Sequence, residues 1–147
     1  MPGDLFHSDY NKEWKDFSEW LILHDEVKFL LVKGNHDILP QEVYLRTTSQ
    51  VTEIMSIGPF VFTHKAELND DLYNISGHVH PCVRMRGTGK QGLRLPCFYF
   101  GEKGGLLPAF GNFTGSHPIR PKQSDQIYGI IEDSVIDLMT KKRANFP

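Results

Sequence analysis

The sequence predicts a single α/β domain, and three observations carry that prediction. An amphipathic stretch at residues 9–24 passes directly into a short apolar run at 27–32. Further short apolar runs follow down the chain. Three of these runs close on polar clusters, Gly34-Asn35-His36-Asp37, Thr63-His64 and Gly77-His78-Val79-His80. Helix followed by buried strand is the rhythm of layered α/β architecture, and clusters at strand ends aim imidazole and amide groups at one place.

Within residues 9–24, Tyr10, Trp14, Phe17 and Leu21 fall at i, i+4, i+7 and i+11, while Lys12, Glu13, Lys15, Asp16 and Glu19 lie mostly elsewhere. That spacing is one apolar stripe of a helix, and Ser8 or Asp9 supplies an N-cap. Trp14, Phe17 and Trp20 share this helix and read as core or interface aromatics. The run Val27-Lys28-Phe29-Leu30-Leu31-Val32 is almost continuously apolar and ends at Gly34, which suits a strand covered on both faces. Residues 51–57 and 60–63 flank Gly58-Pro59 and read as two strands joined by a tight connection. Residues 72–76 lead into the second histidine cluster. Runs at 95–100, 106–107 and 127–131 with 135–138 supply further strands. No repeat, low-complexity tract or linker interrupts the pattern, so residues 1–147 read as one domain.

With 147 residues the chain has the length of about one domain and can bury a real core. A formal charge of −2 gives no global drive toward nucleic acid or membrane, so any polyanion contact must be local. The beginning, Met1-Pro2-Gly3-Asp4, lacks the basic and apolar regions of a secretory signal. No apolar stretch approaches the roughly 20 residues that span a bilayer. Cys82 and Cys97 form no metal-type pair. The expectation is a reducing cytoplasm with both thiols free. The glycosylation-like triplets Asn74-Ile75-Ser76 and Asn112-Phe113-Thr114 are then chance matches.

The chemistry concentrates in the three clusters. Asn35 offers a neutral carbonyl oxygen to a divalent ion, and the adjacent His36 can point into the same pocket without binding it. Gly34 lets the backbone turn after the strand, and Asp37 can orient an imidazole. His78 and His80 stand at i and i+2, and His64 adds a third imidazole at another strand end. Outside the clusters, Arg84, Arg86, Lys90 and Arg94 lie among Gly87, Gly89 and Gly92. They read as a solvated mobile loop, or more sharply as a rim that attracts phosphodiesters. Gly89-Lys90 is no P-loop, because Arg84 stands where the first glycine belongs and Gln91 replaces Ser or Thr. His117 reads as a loop residue and Lys141-Lys142-Arg143 as a solvated tail.

Taken in order, Gly3-Asp4-Leu5-Phe6-His7-Ser8, Gly34-Asn35-His36-Asp37, Phe62-Thr63-His64 and Gly77-His78-Val79-His80-Pro81 resemble the successive blocks of the calcineurin-like metallophosphoesterase superfamily. The first block and residues 107–115, Leu-Pro-Ala-Phe-Gly-Asn-Phe-Thr-Gly, resemble its bacterial branch of DNA ligase-associated metallophosphoesterases. The resemblance implies a sandwich of two mixed β-sheets flanked by helices, with ligands on loops at strand ends. It implies that Asp4 bridges two metal ions, that Asn35, His64 and His78 complete the shell of the second ion, and that His80 binds the first. His36 would stand beside the scissile phosphate as a proton donor or a stabilising cation. The implied reaction is hydrolysis of phosphomonoesters or phosphodiesters by a metal-bound hydroxide, and the branch implies a nucleotide or nucleic-acid partner. A ligand set of oxygen and nitrogen without thiolate favours Mn²⁺, Fe or Zn²⁺ over softer ions, and the resemblance puts Mn²⁺ first.

The chain departs from the family at its start. The family's Asp-x-His block precedes the Gly-Asp block and ligates the first ion, whereas here Gly3 follows at once and no Asp-x-His occurs elsewhere. The expectation is an N-terminally truncated form in which the second site keeps Asp4, Asn35, His64 and His78, and the first keeps Asp4 and His80. Loss of an early strand would expose a sheet edge and promote a homodimer. The competing expectation is a non-catalytic or single-metal binding fragment of this fold.

Overall fold

The computed structural model describes residues 1, 2, 4, 12–67, 71–86, 92–110 and 115–139, with the backbone alone at 12, 13 and 86. The proposed N-cap at Ser8 or Asp9, Lys90, residues 111–114 and the basic tail lie outside these residues. Helix α1 spans Lys12–Leu23 and turns its stripe inward as the spacing requires, with Trp14 and Leu21 buried. Trp14 meets Tyr44 edge-on at 5.3 Å between ring centroids. Tyr44 closes a one-turn helix, α2, at Gln41–Tyr44. Together with Leu31 these aromatics form one core cluster. Trp20, in contrast, is half exposed on the far side of α1.

Strand β1 spans only Leu30–Val32. The first half of the expected run is not strand, because the chain leaving α1 turns through 24–27, where Val27 N–H donates to the His24 carbonyl. The strand proper is flanked on both sides. It pairs in parallel with β2, Gln50–Thr52, and Val32 bridges in parallel to Pro2 on the other side. Residues 51–57, read as one strand, divide at Glu53. β2 stays with β1, while β3, Ile54–Ile57, folds back on β4, Phe60–Thr63, through Gly58-Pro59, with Gly58 at a φ of 57°. Only glycine holds that conformation cheaply.

The remaining strands build one large mixed sheet. β5 (Tyr73–Ser76), β6 (Pro81–Arg86), β7 (Gly92–Phe100), β8 (Gly104–Leu106), β9 (His117–Pro118), β10 (Gln126–Ile131) and β11 (Ser134–Asp137) join β3 and β4 in it. Its main path runs β11-β10-β7-β8-β5-β4-β3, and β6 pairs both β7 and β9. β4, β5 and β8 are parallel neighbours, and the flanking pairs are antiparallel. The architecture is thus mixed α/β, with two helices among the described residues.

Two expectations change here. The ends of the basic stretch are strand: β6 and β7 pair antiparallel, placing Arg84 opposite Arg94. His117 lies in β9 beside Pro81 and not in a loop. Asn74 of the glycosylation-like triplet is buried in β5 and donates to Thr63 Oγ1 at 2.8 Å.

Cys82 and Cys97 are free and fully buried. Burial, and then the neighbouring Cys82, pushes the Cys97 thiol up to about 12. Because only the thiolate attacks a disulfide, the native protein at about pH 8 is expected to ignore an aromatic disulfide reagent and to release two thiols on denaturation. Rapid labelling of the native state would contradict this core.

Candidate metal centre at the strand ends

Strands β4 and β5 run parallel with Thr63 beside Ser76, so the next residues leave the sheet together. His64 follows β4 and His78 follows β5 by two residues. The His64 carbonyl accepts from the N–H groups of both Gly77 and His78, which ties the two exits to each other. The imidazoles meet edge-on, 4.7 Å between centroids. Sites at the carboxyl ends of parallel strands follow from this geometry, since neighbouring chain exits converge there.

The segment ahead of Asp4 lies in the seam between β1 and this pair of strands. The Met1 ammonium donates to Leu30 O at 2.8 Å, and Val32 N–H donates to Met1 O at 2.9 Å. On its other side Pro2 packs on Gly77, where an added Cβ would stand 3.0 Å from the Pro2 carbonyl oxygen. The same carbonyl accepts from His64 Nδ1 at 3.2 Å.

Asp4 follows at a φ of 52°, a left-handed conformation that aspartate tolerates better than most residues. It is clamped to the turn after β1. Asp37, itself buried, accepts from the backbone N–H groups of both Gly34 and Asp4 at Oδ2, each at 2.8 Å. In return Asp4 Oδ1 accepts from His36 N–H at 2.8 Å. The expected imidazole-orienting carboxylate therefore fixes backbone at this oxygen. Gly34 is needed for space: a Cβ there would overlap Asp4 N and Oδ1.

With Oδ1 engaged, Asp4 Oδ2 faces His64 Nε2 at 3.2 Å. Asn35 Oδ1 approaches the same nitrogen at 2.9 Å and His78 Nδ1 at 2.8 Å. One ring nitrogen donates at most one proton, and the Pro2 carbonyl already claims the proton on Nδ1. Asp4 Oδ2 and Asn35 Oδ1 can only accept, so with the neutral ring's one proton on Nδ1 neither is satisfied by Nε2, whichever tautomer His78 adopts. Together with the two imidazole nitrogens they form a set that could hold a cation, and the ligand atoms of Asp4, His64 and His78 all lie within 4.8 Å of one another. Fixing Nδ1–H on a carbonyl is how a metal-binding histidine is set in the right tautomer.

Burial, then His64 and Lys65, hold the His78 imidazole below the usual histidine value, against the opposing pull of Asp4. The shift favours the neutral imidazole, the form that binds metal.

The structure therefore brings together four of the six residues picked out in the sequence: Asp4, Asn35, His64 and His78. His80 is not in the 4.8 Å group. It sits at a φ of 51° and donates from Nδ1 to the Gly115 carbonyl at 3.0 Å, leaving Nε2 as its ligand nitrogen. His36 is exposed beside the cluster, placed by its backbone bond to Asp4. A separate cleft of about 450 Å³, lined by Glu67, Asn74, Tyr99, Lys122 and Asp125 among others, contains none of the six. The sequence reading missed the orienting carbonyls of Pro2 and Gly115, since a backbone carbonyl carries no signature in residue type.

No family model matches the chain, and no curated protein matches it in sequence. Among solved structures, the crystal structure of Pseudomonas putida nuclease MPE matches with a TM-score of 0.76 and 32% sequence identity, over 92% of this chain and 68% of that one. With that identity over that share of both molecules, the chain belongs to the same family as the Pseudomonas putida nuclease MPE.

Proposed function

We propose that the protein is a metal-dependent phosphoester hydrolase of the calcineurin-like metallophosphoesterase type, in the DNA ligase-associated branch, with nucleic acid as its substrate class. The observation that carries this reading is the convergence of Asp4 Oδ2, Asn35 Oδ1 and His78 Nδ1 on His64 Nε2. The relative's description as a nuclease supports the substrate class.

In this reading Asp4, Asn35, His64 and His78 hold one divalent ion, Mn²⁺ first among those that suit oxygen and nitrogen donors. His80 holds a second ion together with Asp4. When bound, such ions lower the pKa of water, neutralise phosphate oxygens and hold the displacement in line. His36 donates a proton to the leaving oxygen, a task suited to a histidine near neutral pH. Asp37 keeps Asp4 and the turn bearing His36 in register with each other.

The test is hydrolysis of an aryl phosphodiester by the protein with and without added Mn²⁺, beside its metal content. Turnover is expected only with metal, and His36→Ala is expected to lower it about 10²–10⁴-fold at unchanged metal content. Unchanged turnover in that variant would remove His36 from the mechanism. A second reading, a non-catalytic or single-ion module, is favoured by the place of His80 outside the compact ligand group. One bound ion per chain without turnover would select it.

A further inference from the structure

Arg84 and Arg94 are register partners across the β6–β7 ladder, and both are exposed. One step away along the same ladder, Val83 and Leu95 are also partners, and both are buried in a core cluster against which Ile119 packs. Side chains alternate along strands, so the two arginines occupy the opposite face from that core. On the other edge of β6, β9 runs parallel with Pro81 beside His117 and Cys82 beside Pro118. Ile119 N–H then donates to the Cys82 carbonyl at 2.9 Å. The ladder ends there, and the exposed Arg120 follows one residue after Ile119, on the β9 side of β6.

Three exposed arginines thus lie on adjacent backbone segments, Arg84 and Arg94 directly opposite each other at a strand spacing of about 4.8 Å and Arg120 just past β9. Like charges directly opposite in an antiparallel pair repel. Among the described residues none of the three has an ion pair to relieve that repulsion. A guanidinium matches a phosphate with two parallel N–H donors, and neighbouring guanidiniums can share one phosphate group or hold two adjacent ones. The patch is also connected to the metal centre: β6 begins directly after His80, so Arg84 lies four residues, about 13 Å of strand, from that ligand candidate. That length is about the rise of four nucleotides along one duplex strand. A mononucleotide or small ester bound at the histidines falls short of it.

We propose that Arg84, Arg94 and Arg120 form a phosphate-backbone-binding patch that holds a nucleic-acid strand running to the Asp4–His64–His78 cluster. The proposal rests on reading that cluster as a phosphoester-hydrolysing centre, and it names the residues that hold the nucleic acid beside it.

The test is equilibrium binding of the whole chain to a fluorescently labelled single-stranded DNA of about 20 nucleotides, in EDTA so that no cleavage intervenes, across a salt series. Replacing all three by glutamine (Arg84→Gln, Arg94→Gln, Arg120→Gln) is expected to weaken binding about tenfold or more at about 0.1 M salt. It should also lower the slope of log affinity on log salt by about 2. The corresponding lysine variants are expected to keep most of the slope. A Lys15→Gln/Lys28→Gln control, on the α1 side of the molecule, is expected to keep all of it.

If the triple variant unfolds by circular dichroism, each single glutamine variant is expected to lower the slope by about 0.7. Wild-type affinity and slope in the folded glutamine variants would overturn the proposal. So would an equal loss in the control, or binding to anionic lipid vesicles without binding to DNA. Intact salt-dependent DNA binding beside absent metal-dependent ester hydrolysis would instead uphold the patch and sink the reading of the centre.

Discussion

Gly34→Ala is expected to strip the protein of bound metal and to lower its melting temperature. The added Cβ would overlap the backbone nitrogen and Oδ1 of Asp4 and stand 2.8 Å from Cγ. Asp4 has no easy retreat. Its N–H is held by Asp37 Oδ2, its Oδ1 holds His36 N–H, and its left-handed backbone follows a Pro2 bridged to Val32. Overpacking of this kind costs about 1–3 kcal/mol. A chain of this length loses roughly 2–4 °C per kcal/mol, so a fall of several degrees is expected. The larger effect is on the site, because displacing Oδ2 removes the one carboxylate from the ligand group. Metal analysis after gel filtration is expected to fall from at least about one Mn²⁺ per chain to near zero. Gly92→Ala and Gly115→Ala, where an added Cβ meets nothing within 4 Å, are expected to keep the wild-type value. Full occupancy in Gly34→Ala would show that the Asp4 clamp does not set the site.

The same glycine shows how far the sequence could be read. Its importance is legible, since it ends an apolar run before Asn-His-Asp, but the reason found there was a sharp turn. In the structure the reason is the close approach of a segment 30 residues away, which no local pattern encodes. The α1 stripe, the β3–β4 turn and the β10–β11 hairpin were all readable, because periodicity and turn residues are local properties. So was the meeting of His64 with His78, which needs only that two strand-closing clusters share a sheet. The division of residues 51–57 between two sheets was not, since nothing in residue type at Glu53 says that its neighbours pair with different partners. Cys82-Val83-Arg84-Met85-Arg86 carries a plain period-2 alternation, yet its charge and the glycines beyond it suggested a loop. Packing of Val83 against Leu95 and Ile127 outweighs the exposed charge.

His64→Ala is expected to have the largest effect on metal affinity of any single change, because His64 is the buried hub of the cluster. Its Nδ1 holds the Pro2 carbonyl, its backbone oxygen holds Gly77 and His78, and its Nε2 is the point toward which the other ligand atoms are aimed. Loss of a residue that merely orients a ligand costs about 10–100-fold in metal affinity, so loss of this ligand should cost at least about 100-fold. The consequence appears in thermal melts. At a Mn²⁺ concentration about 100 times the wild-type Kd, binding stabilises the wild type by about 2.7 kcal/mol, and a 100-fold weaker variant retains about 0.4 kcal/mol. The wild-type melting temperature should therefore rise by roughly 5–11 °C on adding metal, and that of His64→Ala by about 1 °C. His80→Ala provides the contrast. It lies outside the compact group, so it should keep the rise contributed by the ion at that group and lose only what a second ion adds. Its hydrolytic turnover then separates the cases: loss of turnover with a reduced rise indicates a second ion held through His80, and retained turnover with the full rise indicates that one ion suffices. A wild-type rise in His64→Ala would remove the cluster from consideration as a metal centre.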